Sequence, residues 1–506
     1  MSKRKSPRSA ALHDSFEIER HFDTDHLIED LGSRSVRGGL VTATAQVVKF
    51  VVQTGVTMAL ARLLTPADFG LIAMVAFFTG FIGLFGDLGL SAATVQRRTL
   101  SHAQVSALFW VNTAAGVVLM VVACVSAPLI AWFYDESVLA WIALAISVTY
   151  VFSGISAQHL ALLRRQMRIT AIASVEIGAL LAGAIAGLSI ALLDGGYWAL
   201  VTMAVAQAVT TALLASTVSG WRPGTGKVDA GVGAMLKFGG QILGSRVLNF
   251  FSRNTDNLLI GRFLGASDLG IYSRAYALLL LPVQQINRPI ASVAIPALSR
   301  LQADPVTYRR YYLKMVQIIA YASMPLVVVI GVLADEIVWF ILGPQWEEAV
   351  LIFRIFAVFV VFQNVVVTTG WVLQSLGKGR RMVGWSAIHA IVFIGSCLIG
   401  LRWGMVGVAV AVTTQAAVMS IPAMLVAYHG SPVAVVDVAK AIMRPVAVAG
   451  LVGLCAGAAH MAVSDFGAVW QTFSVLAMAL ICVFVVFVAW PQVRDDILSV
   501  AAALKK

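Results

Sequence analysis

Fourteen apolar stretches, each close to twenty residues or longer, follow one another along this chain with only short polar breaks between them. About twenty apolar residues make an α-helix long enough to cross a hydrocarbon core of about 30 Å. The stretches run over 38–61, 69–95, 105–132, 139–162, 172–193, 196–219, 238–261, 270–297, 313–334, 348–373, 382–401, 404–427, 442–463 and 468–490. Strands of a membrane barrel alternate apolar and polar side chains, whereas these runs are continuous, so the expected fold class is an all-α polytopic membrane protein. The composition agrees. Of 506 residues, 59% are hydrophobic and 12% charged, about half the charged share of a soluble domain. Cys124, Cys397, Cys455 and Cys482 all lie in apolar runs with no CxxC spacing, and they are expected as packing residues without disulfide or metal roles.

Charge in the breaks sets orientation. Lys3, Arg4, Lys5, Arg8, Arg20, Arg34 and Arg37 precede the first span, and every second break is then basic: Arg97 and Arg98; Arg164, Arg165 and Arg168; Arg222, Lys227 and Lys237; Arg300, Arg309, Arg310 and Lys314; Lys378, Arg380 and Arg381; Lys440 and Arg444. The other breaks carry acids, among them Asp135, Glu136, Asp194, Asp335, Glu336, Glu347 and Glu348. By the positive-inside rule both termini are expected in the cytoplasm. The opening MSKRKSPRSA has no apolar core followed by small residues, so it is not read as a secretory signal. The net charge of +11 is thus mainly a topology signal, and no soluble basic domain exists that would suit nucleic acid.

Residues 60–72, LARLLTPADFGLI, return as residues 260–272, IGRFLGASDLGIY. Arg62, Leu64, Asp68 and Gly70 fall on Arg262, Leu264, Asp268 and Gly270 without a gap, and each copy joins two apolar runs. Two similar lobes are expected, with six spans between the copies, so both lobes point the same way through the membrane around a central cationic cavity. The expected layout is a polar tail over 1–35, a first lobe over 36–220, a second over 221–430, and two further spans with a tail over 431–506. Asp68 and Asp268 read as helix N-caps.

Five bases fall inside spans: Lys49, Arg246, Arg253, Arg288 and Arg354. Each costs about 2.5–3.5 kcal/mol at the centre of a bilayer. Asp87 and Asp256 are the acids read at comparable depth, too few for simple pairing. Arg246, Asn249, Arg253, Asp256 and Asn257 share one helical face in the seventh span, and Gln46, Lys49 and Gln53 share one in the first. Gln284, Gln285 and Arg288 follow in the eighth, between Pro282 and Pro289, which free backbone carbonyls. These stripes suit a wet, anion-attracting vestibule. For Arg253 the competing reading is a buried structural pair with Asp256. For Arg246 and Arg288 it is snorkelling to the interface, and for Asp87 helix packing against ion coupling. No P-loop, GxSxG or HExxH motif occurs, and the histidines have no metal spacing, so neither cofactor nor catalytic centre is expected.

Four segments carry a family resemblance: MALARLLTPADFG (58–70), DLGLSAATVQRRTLSHAQVSALFWVNTAAG (87–116), NTDNLLIGRFLGASDLGIYSRAYALLLLPVQQINRPIASVAIPAL (254–298) and GPQWEEAVLIFRIFAVFVVFQNVVVTTGWVLQSL (343–376). Over about 36–490 the chain resembles bacterial lipopolysaccharide and exopolysaccharide repeat-unit flippases of the multidrug/oligosaccharidyl-lipid/polysaccharide exporter superfamily. The resemblance implies an inner-membrane flippase of fourteen helices. It would carry an undecaprenyl-diphosphate-linked oligosaccharide from the cytoplasmic to the periplasmic leaflet by alternating access, for exopolysaccharide or O-antigen biosynthesis. It also implies that Arg253, Arg246, Arg288 and Lys49 contact the diphosphate, and that membrane lipid and polysaccharide polymerase or export machinery are partners of a monomeric transporter. A cation/drug antiporter of the same superfamily would need acids to dominate the cavity. A membrane glycan polymerase or ligase would need a large outer loop.

Overall fold

The structure is a computed structural model that describes residues 31–86, 90–96, 100–224, 247, 250–251, 253–463 and 466–496. Every regular element among them is helical. They fall into two compact units, Met1–Phe250 and Phe251–Lys506. Eleven helical stretches among the described residues are long and apolar enough to cross a membrane. One of them, Gly379–Tyr428, is divided by a 3-10 turn at Leu401–Trp403. Half of the expected seventh span, the tail before residue 31 and Asp87 lie outside the described residues.

The first unit contains α1 (Leu31–Leu63), α2 (Pro66–Gly83), the short α3 (Leu90–Gln96), α4 (His102–Tyr134), α5 (Val138–Arg165), α6 (Ile169–Leu192) and α7 (Trp198–Ser219). The expected single span over 69–95 is in fact two helices. Glycines recur at 83, 86 and 89, and where α2 ends the Gly86 N–H turns back onto the Gly83 carbonyl. Glycine lowers helix propensity by about 1 kcal/mol relative to alanine, and Gly83 and Gly86 lie where the run ends. The main packed pairs are α4 with α5, α6 with α7, α5 with α7 and α1 with α6.

Helix α4 shows what solvent these helices meet. It buries Leu119, Ala123, Ala127 and Ile130, while Val118, Val121, Val125, Leu129 and Trp132 on its other face are exposed. A helix in water would present polar groups there, so this outward face is built for hydrocarbon. Where α4 meets α5 the backbones touch: a Cβ on Gly116 would sit 2.5 Å from the Tyr150 carbonyl oxygen, and one on Gly154 would sit 2.5 Å from that of Asn112. Small residues at such crossings let membrane helices gain dispersion contact where lipid removes any hydrophobic drive between them.

The second unit holds α8 (253–264), α9 (Ala266–Arg300), α10 (Pro305–Val332), α11 (Ala334–Ile341), α12 (Glu348–Ser375), α13 (Gly379–Gly400), α14 (Gly404–Tyr428), α15 (Val435–Ala462) and α16 (Ala468–Ala489). Its core sits among α9, α10, α12, α14 and α15, around Tyr308, Tyr312, Trp371 and Tyr428. The hydroxyls do not go unmatched. Tyr312 meets Thr368 Oγ1 at 2.9 Å and the Tyr428 hydroxyl at 2.8 Å, and Tyr308 meets Ser375 Oγ at 2.7 Å. Helix α9 runs unbroken through Pro282, Pro289 and Pro296, which lack the N–H that would bond Leu278, Gln285 and Ser292.

The repeated segment forms the same device in each unit, a helix break followed at once by a new helix. At the first break Pro66 opens α2, the Asp68 N–H donates to Thr65 Oγ1 (3.3 Å), and the Thr65 N–H donates to Asp68 Oδ2 (2.9 Å). At the second, Gly265 adopts φ 93° and α9 begins at the next residue. Asp68 and Asp268 therefore lie in the first helical turn and are not the caps themselves; Thr65 and Gly265 hold that position. The basic turn at Lys378 also has a structural task. Lys378 Nζ donates to the carbonyls of His429 (2.9 Å) and Gly430 (2.7 Å), and Arg381 donates to that of His429 (2.6 Å), neutralising the C-terminal end of α14.

Candidate functional site

In the first unit the polar stripe of α1 lies partly open. Gln46 and Gln53 are exposed and Lys49 is half-buried. Because α1 packs on α6, Lys49 Nζ reaches Glu176 Oε2 at 2.5 Å. Only Asp87 and Asp256 are expected from the sequence as acids at depth, and Glu176 corrects that count. It stands as one carboxylate in the apolar run ASVEIGALLAGA, a signal visible in the sequence itself. Lys49 is thus a charge already met by an acid, in a helix pair where an unmatched charge would be costly.

In the second unit α8 divides its polar residues by depth. Arg253 is exposed, Asn257 half-buried, and Thr255 and Asp256 are buried. The two oxygens of Asp256 are used locally: Oδ1 accepts the Asn257 N–H at 2.9 Å and Oδ2 accepts the Tyr272 hydroxyl at 3.0 Å. Tyr272 is fully buried on α9, so this carboxylate ties α8 to α9 across the break. Arg253 lies close enough to Tyr276 on α9 and His389 on α13 to act on both electrostatically. Tyr272, Tyr276 and His389 did not emerge from the sequence, since a tyrosine or histidine inside a span has no spacing that names its neighbour.

On α9, Gln284 and Arg288 stand one turn apart, and Arg288 Nη2 donates to Gln284 Oε1 at 2.6 Å. Arg288 and Gln285 are exposed. The neighbouring Asn287 turns into the unit, where its Nδ2 donates to Asn364 Oδ1 (2.9 Å) and Asn364 Nδ2 donates to Ser323 Oγ (2.9 Å). Arg354 is bonded to Asp335 at the start of α11, so this base, expected inside a span, belongs to an ion pair of exposed groups. Arg246 and Asn249 lie outside the described residues.

The described part of the site therefore offers two exposed guanidiniums, Arg253 on α8 and Arg288 on α9, the latter a helix long and apolar enough to cross a membrane. An arginine in such a setting supplies planar, charge-assisted donors to an oxyanion and cannot shed its charge to escape the low dielectric. No group of three or more His, Cys, Asp or Glu side chains suited to a metal ion occurs among the described residues.

The architecture is that of a polytopic helical membrane protein. The solved lipid II flippase MurJ, in an inward closed conformation, shares its fold with a TM-score of 0.69 over 89% of this chain and 99% of that one, at 13% identity. The sequence model of a family described as "Polysaccharide biosynthesis protein" matches residues 59–351, more than half of the chain. This chain belongs to that family. The teichuronic acid biosynthesis protein TuaB of Bacillus subtilis (strain 168) is 26% identical over 429 residues, 83% of this chain and 88% of that one. The lipopolysaccharide biosynthesis protein WzxC of Escherichia coli (strain K12) is 23% identical over 385 residues, 75% and 77% of the two chains.

Proposed function

We propose that this protein is a flippase for undecaprenyl-diphosphate-linked oligosaccharide repeat units, moving them from the cytoplasmic to the periplasmic leaflet for exopolysaccharide or O-antigen assembly. The observation that carries the reading is the pair of exposed arginines, Arg253 on α8 and Arg288 on the membrane-length α9, in a polysaccharide biosynthesis protein with a MurJ-like fold. A diphosphate has to cross hydrocarbon without losing its charge, and fixed guanidiniums make that passage less costly. Arg246 and Lys49 join them in this reading, Lys49 by exchanging Glu176 for the diphosphate. Gln53, Asn249, Asn257, Gln284 and Gln285 supply neutral hydrogen bonds to the sugars and phosphates. Asp256, held by Tyr272, positions α8 so that Arg253 faces outward. The chain acts as a transporter without catalysing bond changes, its drive coming from an ion gradient or from consumption of the product.

The test is a deletion strain complemented with wild-type or Arg253→Ala protein, followed by leaflet-specific labelling of lipid-linked repeat units. Wild type should clear repeat units from the cytoplasmic leaflet, and the variant should insert normally yet leave them there. Repeat units gathering unpolymerised in the periplasmic leaflet of the deletion strain would place the protein after the flip and remove the proposal.

A further inference from the structure

Within the second unit a cavity of about 870 Å³ opens between the first turns of α10 and α15. Its lining includes Arg309, Arg310, Lys314, Lys440 and Arg444, with Asp437 as the single acid. Part of this charge is matched. Arg309 is bonded to Asp437, Arg444 Nη1 donates to Asp496 Oδ2 at 2.9 Å, and Arg310 acts on Asp304, which caps α10. Lys314 and Lys440 have neither a hydrogen bond nor an ion pair among the described residues. Both helices also begin at this end, at Pro305 and Val435, so their N-terminal dipoles add positive potential to the same space.

Depth decides what such a cavity accepts. Helices α10 and α15 are each long and apolar enough to cross a membrane, so their first turns lie where a span leaves the hydrocarbon and meets lipid headgroups. Exposed Val306 and half-buried Leu313 line the same cavity and offer apolar surface beside the charges. We propose that this groove is a binding site for the phosphate headgroup of an anionic glycerophospholipid, with Lys314 and Lys440 as its charge contacts. Basic pockets between spans at the headgroup level suit such lipids. Lysines act there as mobile point charges, in contrast to the fixed fork of Arg253. The proposal is independent of the transport reading, because no transported substrate enters it.

The experiment uses the full chain purified in detergent and titrated with dioleoylphosphatidylglycerol, dioleoylphosphatidylcholine or inorganic pyrophosphate, with bound species counted by native mass spectrometry. Wild type should retain phosphatidylglycerol over phosphatidylcholine. The double variant Lys314→Gln, Lys440→Gln should bind phosphatidylglycerol about thirtyfold more weakly, at about fivefold per charge near an anionic surface. Arg380→Gln, at a different turn, should bind as wild type does, and the double arginine variant should restore retention. Equal thermal stability of the variants in lipid-free detergent separates lost binding from lost folding. Equal retention of phosphatidylglycerol by wild type and the double glutamine variant overturns the proposal, as does pyrophosphate binding that the double glutamine variant loses and that lipid fails to compete away from wild type.

Discussion

The contact between α4 and α5 makes a quantitative prediction, because glycines of this protein fall into two kinds. A Cβ on Gly154 would meet the Asn112 carbonyl oxygen at 2.5 Å, so Gly154→Ala forces the helices to retreat by about 0.9 Å to reach an ordinary contact of 3.4 Å. A gap of 0.5–1 Å forfeits about a quarter to a half of each dispersion well along the seam, and overpacking of this sort costs about 1–3 kcal/mol. The better helix propensity of alanine returns about 1 kcal/mol, leaving a net loss of up to about 2 kcal/mol. Gly450 in α15 has nothing within 4 Å of its would-be Cβ, so Gly450→Ala keeps the propensity gain without the clash. In thermal melts of the purified protein, Gly154→Ala should lower the midpoint by several degrees, at about 2–4 °C per kcal/mol for a unit of some 250 residues. Gly450→Ala should hold or raise it. A Gly154→Ala protein that melts with or above wild type would refute the argument that backbone contact holds this pair together.

Other expectations follow from the charges. Lys49→Met and Glu176→Met should each destabilise by about 1–2 kcal/mol, between surface-pair and buried-pair values, because Lys49 is 23% and Glu176 39% exposed; the double variant should lose less than the two added together, and strict additivity in melts would deny the pair. Arg253→Lys should export polymer better than Arg253→Ala but below wild type, since it keeps the charge and loses the fork; equal export by Lys and Ala would mean the charge is irrelevant. Asp304 has its carboxyl held below the usual value of 3.8 by hydrogen bonds from Thr307, side chain and backbone. A depressed acid stabilises above its unfolded value and loses that stabilisation as pH falls through the folded one. Asp304→Ala should therefore melt lower than wild type at pH 7, and the difference should close below pH 3.8; a difference that persists there would assign the effect to packing.

Much of this architecture was legible from residue order because hydrocarbon tolerates few arrangements. The apolar runs and the helix break shared by Leu64 and Leu264 follow from what a span can afford. Segment 69–95 misled because hydropathy does not register glycines as breaks. The partners of charged groups were the hidden part. Lys49 finds Glu176 from a helix more than a hundred residues later, Asp256 finds Tyr272 across a turn, and Arg354 finds Asp335 from a short helix read as loop. Such pairings are set by which helices pack together, and a one-dimensional stripe names a face without naming what it faces.

The hydroxyl and amide contacts inside the second unit carry a mechanical meaning. Tyr312 bolts α10 to α12 and α14, and Asn364 bolts α12 to α9 and α10, through side chains shut away from water. Sliding any one of these four helices past the others would strand polar groups in a medium that offers no replacement partner. They should consequently travel as a single plate, with any change of shape displaced to its margins.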